Sequence, residues 1–101
     1  MLYAIIGEDN PDSLEKRLAA REKHLARLQS LQDDGRLILA GPFPAIDAED
    51  PAATGFTGSL IVAEFNSLDE ARDWASNDPY TTQDVFKNVV VKPYKKVFPN
   101  S

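Results

Sequence analysis

Cysteine is absent from these 101 residues, and methionine, tryptophan and histidine occur once each. Without a thiol there is neither a disulfide framework nor a thiolate metal site, which suits a reducing, cytoplasmic setting. One histidine is too few for a protein zinc site, because no carboxylates are spaced to complete one. No metal is expected, beyond a cation held transiently by His24 and Asp78. Long apolar runs are missing too. None approaches the ~20 residues that cross a bilayer, so no membrane span is expected. No basic segment leads into an apolar stretch at the N-terminus, so no secretory signal is expected either. Positive charge is scarce, with 11 Lys and Arg against 16 Asp and Glu. Nucleic-acid binding needs a basic surface to displace counterions, and Lys92, Lys95 and Lys96 are too few to supply one.

What is present suits one domain, residues 1–98, with 99–101 as a tail. Hydrophobic residues make up 43% and charged residues 27%, enough for a single modest core. Leu2 to Ile6 reads as a strand stopped by Gly7. A helix is expected from Asp12 to Asp34, with Asp12 and Glu15 as its capping box and Gly35 as its left-handed stop. Arg36 to Ala40 forms a second strand, broken by Gly41-Pro42. The stretch to Gly58 reads as an irregular connection, long enough to serve as a lid. Ser59 to Phe65 forms a third strand. Ser67 and Glu70 cap a short helix that Asn77-Asp78-Pro79 ends. Val85 to Tyr94 is the last strand.

The order βαββαβ predicts an α+β fold, the ferredoxin-like sandwich with an antiparallel sheet and both helices on one face. The first three strands are apolar on both sides, whereas two helices cover only one. At ~25 cal/mol per Å² of apolar area, a wet second face would forfeit several kcal/mol. A homodimer packed through its sheet faces is therefore expected.

Candidate functional residues concentrate on the first helix. At about 100° per residue, Leu14, Leu18, Leu25, Leu28 and Leu31 share an arc of roughly 140° with Arg17, Arg21 and His24. Glu15, Lys16, Lys23, Arg27 and Asp34 fall outside it. Burying a charge or an imidazole without a partner costs several kcal/mol, so this stripe points to a pocket. His24 reads either as a core histidine bonded to a backbone carbonyl or as a general base. Asp78 reads either as chain punctuation or as the carboxylate that orients His24. Arg17 and Arg21 either bind an anionic ligand group or reach acidic neighbours such as Glu8 and Asp9. Gly58-Ser59 lacks the strand-turn-helix setting of a nucleophile elbow, and Gly55 to Gly58 lacks the lysine of a phosphate loop. Trp74 and the other aromatics are assigned to the core.

Several short motifs, taken in order, resemble the YciI-like family over residues 1 to about 98. They are Met1-Leu2-Tyr3, Ser13-Leu14-Glu15-Lys16-Arg17-Leu18, His24-Leu25-Ala26-Arg27-Leu28, Gly35-Arg36-Leu37, Ala40-Gly41-Pro42, Gly55-Phe56-Thr57-Gly58-Ser59, Asp78-Pro79-Tyr80 and Val91-Lys92-Pro93. The resemblance implies a dimeric α+β barrel. It also implies a pocket around a histidine on the first helix and an aspartate before proline, matching His24 and Asp78, with Arg21 three residues before the histidine. Many relatives carry proline where this chain has Glu22, a change expected to alter the outer helix surface rather than the pocket. Relatives include a dehydrochlorinase of a chlorinated hydroxyquinol, and the wider superfamily includes muconolactone isomerases. Such chemistry needs a proton shuttle and no cofactor. The expectation is thus a small lyase or isomerase with His24 and Asp78 as catalytic pair. Arg17, Arg21, Gly41 and Ser59 would bind a small cyclic or carboxylated ligand. The alternatives are a non-catalytic ligand-binding or stress-associated module, and a purely structural dimer.

Overall fold

The computed structural model describes residues 1–100, so Ser101 of the expected tail lies outside the described residues. Strand β1 spans Leu2–Asp9, helix α1 Leu14–Asp33 and strand β2 Leu37–Pro44. A single 3-10 turn at Ala52–Thr54 precedes strand β3, Phe56–Glu64. Helix α2 (Leu68–Ser76), helix α3 (Pro79–Thr82) and strand β4 (Phe86–Tyr94) complete the chain. The strands form one antiparallel sheet in the order β2-β3-β1-β4, the βαββαβ arrangement expected from the sequence.

Alternation along the strands sorts the two faces. Tyr3, Ile5, Ile61 and Ala63 point towards the helices and pack with Leu31, Phe65, Ala71 and Ala75 in the main core. A second cluster joins Ala20 of α1 to Tyr80, Val85 and Phe86. The opposite face carries Ala4, Ile6, Leu60, Val62 and Val90, aligned across the ladder, and among the described residues no helix covers it. A register shift between Leu37 and Leu39 places Ile38 at a bulge and turns Leu39 towards that outer face, opposite Val62.

Local chemistry explains most boundaries. Helix α1 ends in a Schellman motif, with Gly35 at φ 72° and the N–H groups of Gly35 and Arg36 bonded to the carbonyls of Gln32 and Leu31. Ser67 caps α2 by accepting from the Glu70 N–H, as its capping box predicts. The Asp12–Glu15 box does not form. Asp12 turns left-handed at φ 54°, the N-cap is Ser13, and the Ser13 hydroxyl lies against Asp9. Gly41-Pro42 does not break β2. As β2 is an edge strand, one side of its ladder is unpaired and proline's missing N–H is tolerated there. The expected lid is correspondingly short, because Pro42 and Phe56 belong to strands and only Ala45 to Gly55 connects them.

Candidate functional site

Helix α1 carries the site, but turned from the orientation its leucines imply. Its buried residues are Arg17, Ala20, His24 and Leu31, whereas Leu18 is 63% and Leu25 42% exposed. The face towards the sheet is the arginine and imidazole edge. Leu18 and Leu25 instead line the side of a cavity of about 200 Å³ between α1 and strands β2 and β3. Glu22 is exposed on the far side, consistent with a change confined to the outer surface.

Two buried pairs anchor this face two helical turns apart, one an arginine–carboxylate ion pair and one a histidine–carboxylate hydrogen bond. Near the start of α1, the Arg17 guanidinium donates to both Asp9 oxygens, Nε to Oδ2 at 2.9 Å and Nη2 to Oδ1 at 3.1 Å. Nη2 also donates to the Gly58 carbonyl at 2.9 Å and the Ser59 hydroxyl at 2.8 Å. Its flat faces meet the rings of Phe56 and Tyr80. Of the two possibilities for Arg17, the geometry has its head reaching an acidic neighbour. Close packing of β1 against β3 makes the Gly58 corner possible, since a Cβ there would strike the Gly7 carbonyl.

The second pair is His24 with Asp78, whose Nδ1 and Oδ2 atoms are 2.8 Å apart, both residues being buried. Asp78 does two jobs at once. It caps α3, where Oδ2 accepts from the Tyr80 N–H at 3.0 Å and Pro79 occupies the first helical position. It also accepts from Arg27, Nη1 to Oδ1 at 3.0 Å. A carboxylate with three donors around it holds its position. Arg27 was assigned by sequence to the solvent side of α1. It instead folds over the Trp74 ring at 4.2 Å and bonds the Trp74 carbonyl on its way to Asp78.

In the tautomer that donates Nδ1–H to Asp78, the imidazole carries its lone pair on Nε2. Nε2 makes no hydrogen bond within the described residues, and no buried side-chain nitrogen or oxygen among them lacks a partner. Nε2 therefore keeps some exposure, and His24 is one of the residues that line the cavity. Tyr80 stacks on the imidazole, ring centres 3.8 Å apart and planes 12° from parallel. Burial raises its pKa above the ordinary phenol value of 10.0, opposed by the charges of Arg17 and Arg21. The phenol is thus protonated at neutral pH.

Arg21 also lines the cavity, exposed and without an ion pair or hydrogen bond among the described residues. Ser59 and Gly41 complete the polar edge, and Ser59, which accepts from Arg17, keeps its own proton free to donate. All six expected site residues except Asp78 contact the cavity, and Asp78 stands directly behind His24. Two aromatics assigned to the core, Phe56 and Tyr80, form part of its wall. The Asp78-Pro79 pair signalled a helix start as readily as an end, but it carried no sign that Tyr80 lines a cavity. No group of three or more His, Cys, Asp or Glu suited to a metal occurs among the described residues. None of their helices is long and apolar enough to cross a membrane.

Comparison with known proteins bears on the family and the fold. The model of the YCII-related domain family matches residues 1–95. Protein YciI of Escherichia coli is 59% identical over 97% of this chain and 100% of its own length. A protein of Haemophilus influenzae is 56% identical over the same shares. Among solved structures, the 5-chloro-2-hydroxyhydroquinone dehydrochlorinase of Burkholderia phenoliruptrix, in complex with 2,5-dihydroxybenzoquinone, superimposes with a TM-score of 0.82. That pair is 30% identical, and the match covers 94% of each chain.

Proposed function

The chain belongs to the YCII-related domain family, and from that premise we propose that it is a small enzyme whose His24 moves a proton on a compact cyclic or carboxylated metabolite. The reaction class is lyase or isomerase. One observation carries the reading: a buried imidazole that lines a cavity, with Nδ1 tied to a triply anchored carboxylate and Nε2 left without a partner. A core histidine needs no such cavity, and a bare ligand pocket needs no carboxylate behind the ring. Asp78 sets the tautomer and steadies the positive ring formed after proton transfer. Arg21 meets an anionic or oxygen-rich group of the ligand, with Ser59 and Gly41 beside it, while Arg17 shapes the floor of the pocket. The dehydrochlorinase, which shares this fold, supports elimination as one outcome. Proton transfer of this kind calls for no cofactor.

A thermal-shift screen of small cyclic acids, followed by product analysis of each ligand found, tests the reading. His24→Ala should keep its fold and lose turnover. Equal turnover by that variant, or ligands always recovered unchanged from the native protein, overturns it.

We also propose that two copies pair through the outer sheet face. Ile6, Leu39 and Phe43 are 37%, 48% and 40% exposed there, beside Leu60 and Val90. A sheet face this apolar is stabilised by a second such face packed about 10 Å away. Analytical ultracentrifugation of the native chain should give twice the chain mass, and Ile6→Glu should give a monomer. A native monomer at micromolar concentration ends the proposal.

A further inference from the structure

Once internal pairing is counted, the base is not alone in the cavity. The Arg17 guanidinium is engaged by Asp9, Gly58 and Ser59. The Arg21 guanidinium has no partner among the described residues, and the Tyr80 hydroxyl, which lies beside the Arg17 guanidinium, donates its proton to none of them. The Tyr80 ring is clamped between two neighbours, flat against His24 at 3.8 Å and edge-on to Phe86 at 5.7 Å. Base and phenol therefore meet the same small space in a fixed relation. Leu14, Leu25, Leu28 and Ile61 wall it with hydrocarbon, where hydrogen bonds to a charged oxygen are stronger than in water.

Resting on the reading of His24 as base and deepening it, we propose that Tyr80 and Arg21 form an oxyanion site, and that the substrate is a compact carbonyl compound with an acidic C–H next to its carbonyl. The C–H bond breaks and its proton passes to His24 Nε2. The electron pair of that bond becomes the new C=C bond, and the carbonyl π pair moves onto oxygen. The enolate oxygen accepts hydrogen bonds from the Tyr80 O–H, whose ring is fixed by packing before charge develops, and from the Arg21 guanidinium. Where the substrate also carries a C=C bond conjugated with the enolate, returning the proton from Nε2 to the far end of that bond re-forms the carbonyl, shifts the double bond and completes an isomerisation. Loss of an anionic leaving group from the neighbouring carbon completes an elimination, and the proton on His24 then passes to water. Burial keeps Tyr80 a proton donor, and the two guanidinium charges keep its hydroxyl from becoming too weak an acid to bond an enolate well.

The test uses 4-nitrophenol, a planar oxyanion of the cavity's scale whose ionised form absorbs visible light. Titrated into the native protein at a pH where the free dye is partly ionised, it should bind as phenolate and gain visible absorbance. Arg21→Gln should weaken binding about tenfold or more, the scale of a charge-assisted hydrogen bond. Tyr80→Phe, which retains the ring and the stack, should weaken it several-fold, and Arg21→Lys should recover part of the loss. Circular dichroism checks that each variant is folded. No saturable binding, binding as the neutral phenol, or affinity unchanged in both Arg21→Gln and Tyr80→Phe overturns the oxyanion site. Those results leave the role of His24 untouched, because turnover by His24→Ala decides that separately.

Discussion

Two buried side-chain pairs on one helix, seven residues apart, differ in how they are completed. Arg17 and Asp9 form a closed unit, with the guanidinium bonded to two carboxylate oxygens, a carbonyl and a hydroxyl and sandwiched by aromatic rings. His24 and Asp78 form an open one. The carboxylate is saturated from three sides, while the imidazole keeps one nitrogen for the cavity. Burial alone therefore does not mark a functional group, for both pairs are buried. The distinguishing mark is an unfilled valence facing space that a small molecule can enter.

The largest expected effect breaks the closed pair. Arg17→Met strands the Asp9 carboxylate in the interior and should cost about 3–5 kcal/mol, read from urea denaturation. A loss below about 1 kcal/mol would mean that the pair does not hold this corner. Next comes Asp78→Asn, which preserves size and helix-capping ability but no longer enforces the Nδ1–H tautomer. Turnover should fall about a hundredfold or more with a smaller stability loss than Arg17→Met, and ¹⁵N spectra of the His24 ring should show the proton redistributed. If stability falls while turnover holds, Asp78 is a cap and nothing more. Arg27→Met removes one of three donors from Asp78 and should cost about 1 kcal/mol, with a few-fold loss of turnover, because Asp78 keeps its other two anchors.

The smallest effect concerns Tyr80 and pH. Its folded pKa lies above the unfolded value near 10.0, so the folded state holds this proton more tightly. The resulting stabilisation is fully present below pH 10 and is lost as pH rises through the folded pKa. Denaturation midpoints across that range should fall more steeply for the native chain than for Tyr80→Phe. Parallel curves would refute the shift.

Much of this arrangement could be read from residue order alone, and the failures have identifiable causes. The strand and helix sequence followed from periodicity and punctuation, and Gly35 and the Ser67–Glu70 box behaved as local chemistry requires. The Asp12–Glu15 box failed because Asp9 drew Ser13 and Arg17 into a competing network across the β1–α1 connection. Arg27 was misplaced because helical angle ignores the length of an arginine, which spans from the flank of α1 to Asp78. The leucines of α1 suggested a buried stripe turned too far. Helix orientation instead followed the two buried polar pairs, whose burial tolerates only well-formed partners. Tyr80 was assigned to the core since a tyrosine that lines a cavity and one that fills a core look alike in a sequence.

Residue order by itself settled the element types, the one-faced helical cover of the sheet and the identity of the lone imidazole, because period, caps and rare residues act over a few positions. Folding in three dimensions settled which charges close on each other and which stay open. Asp9 lies eight residues from Arg17 and Asp78 lies 54 from His24. Neither interval reveals that one pair is complete and the other has an unfilled valence.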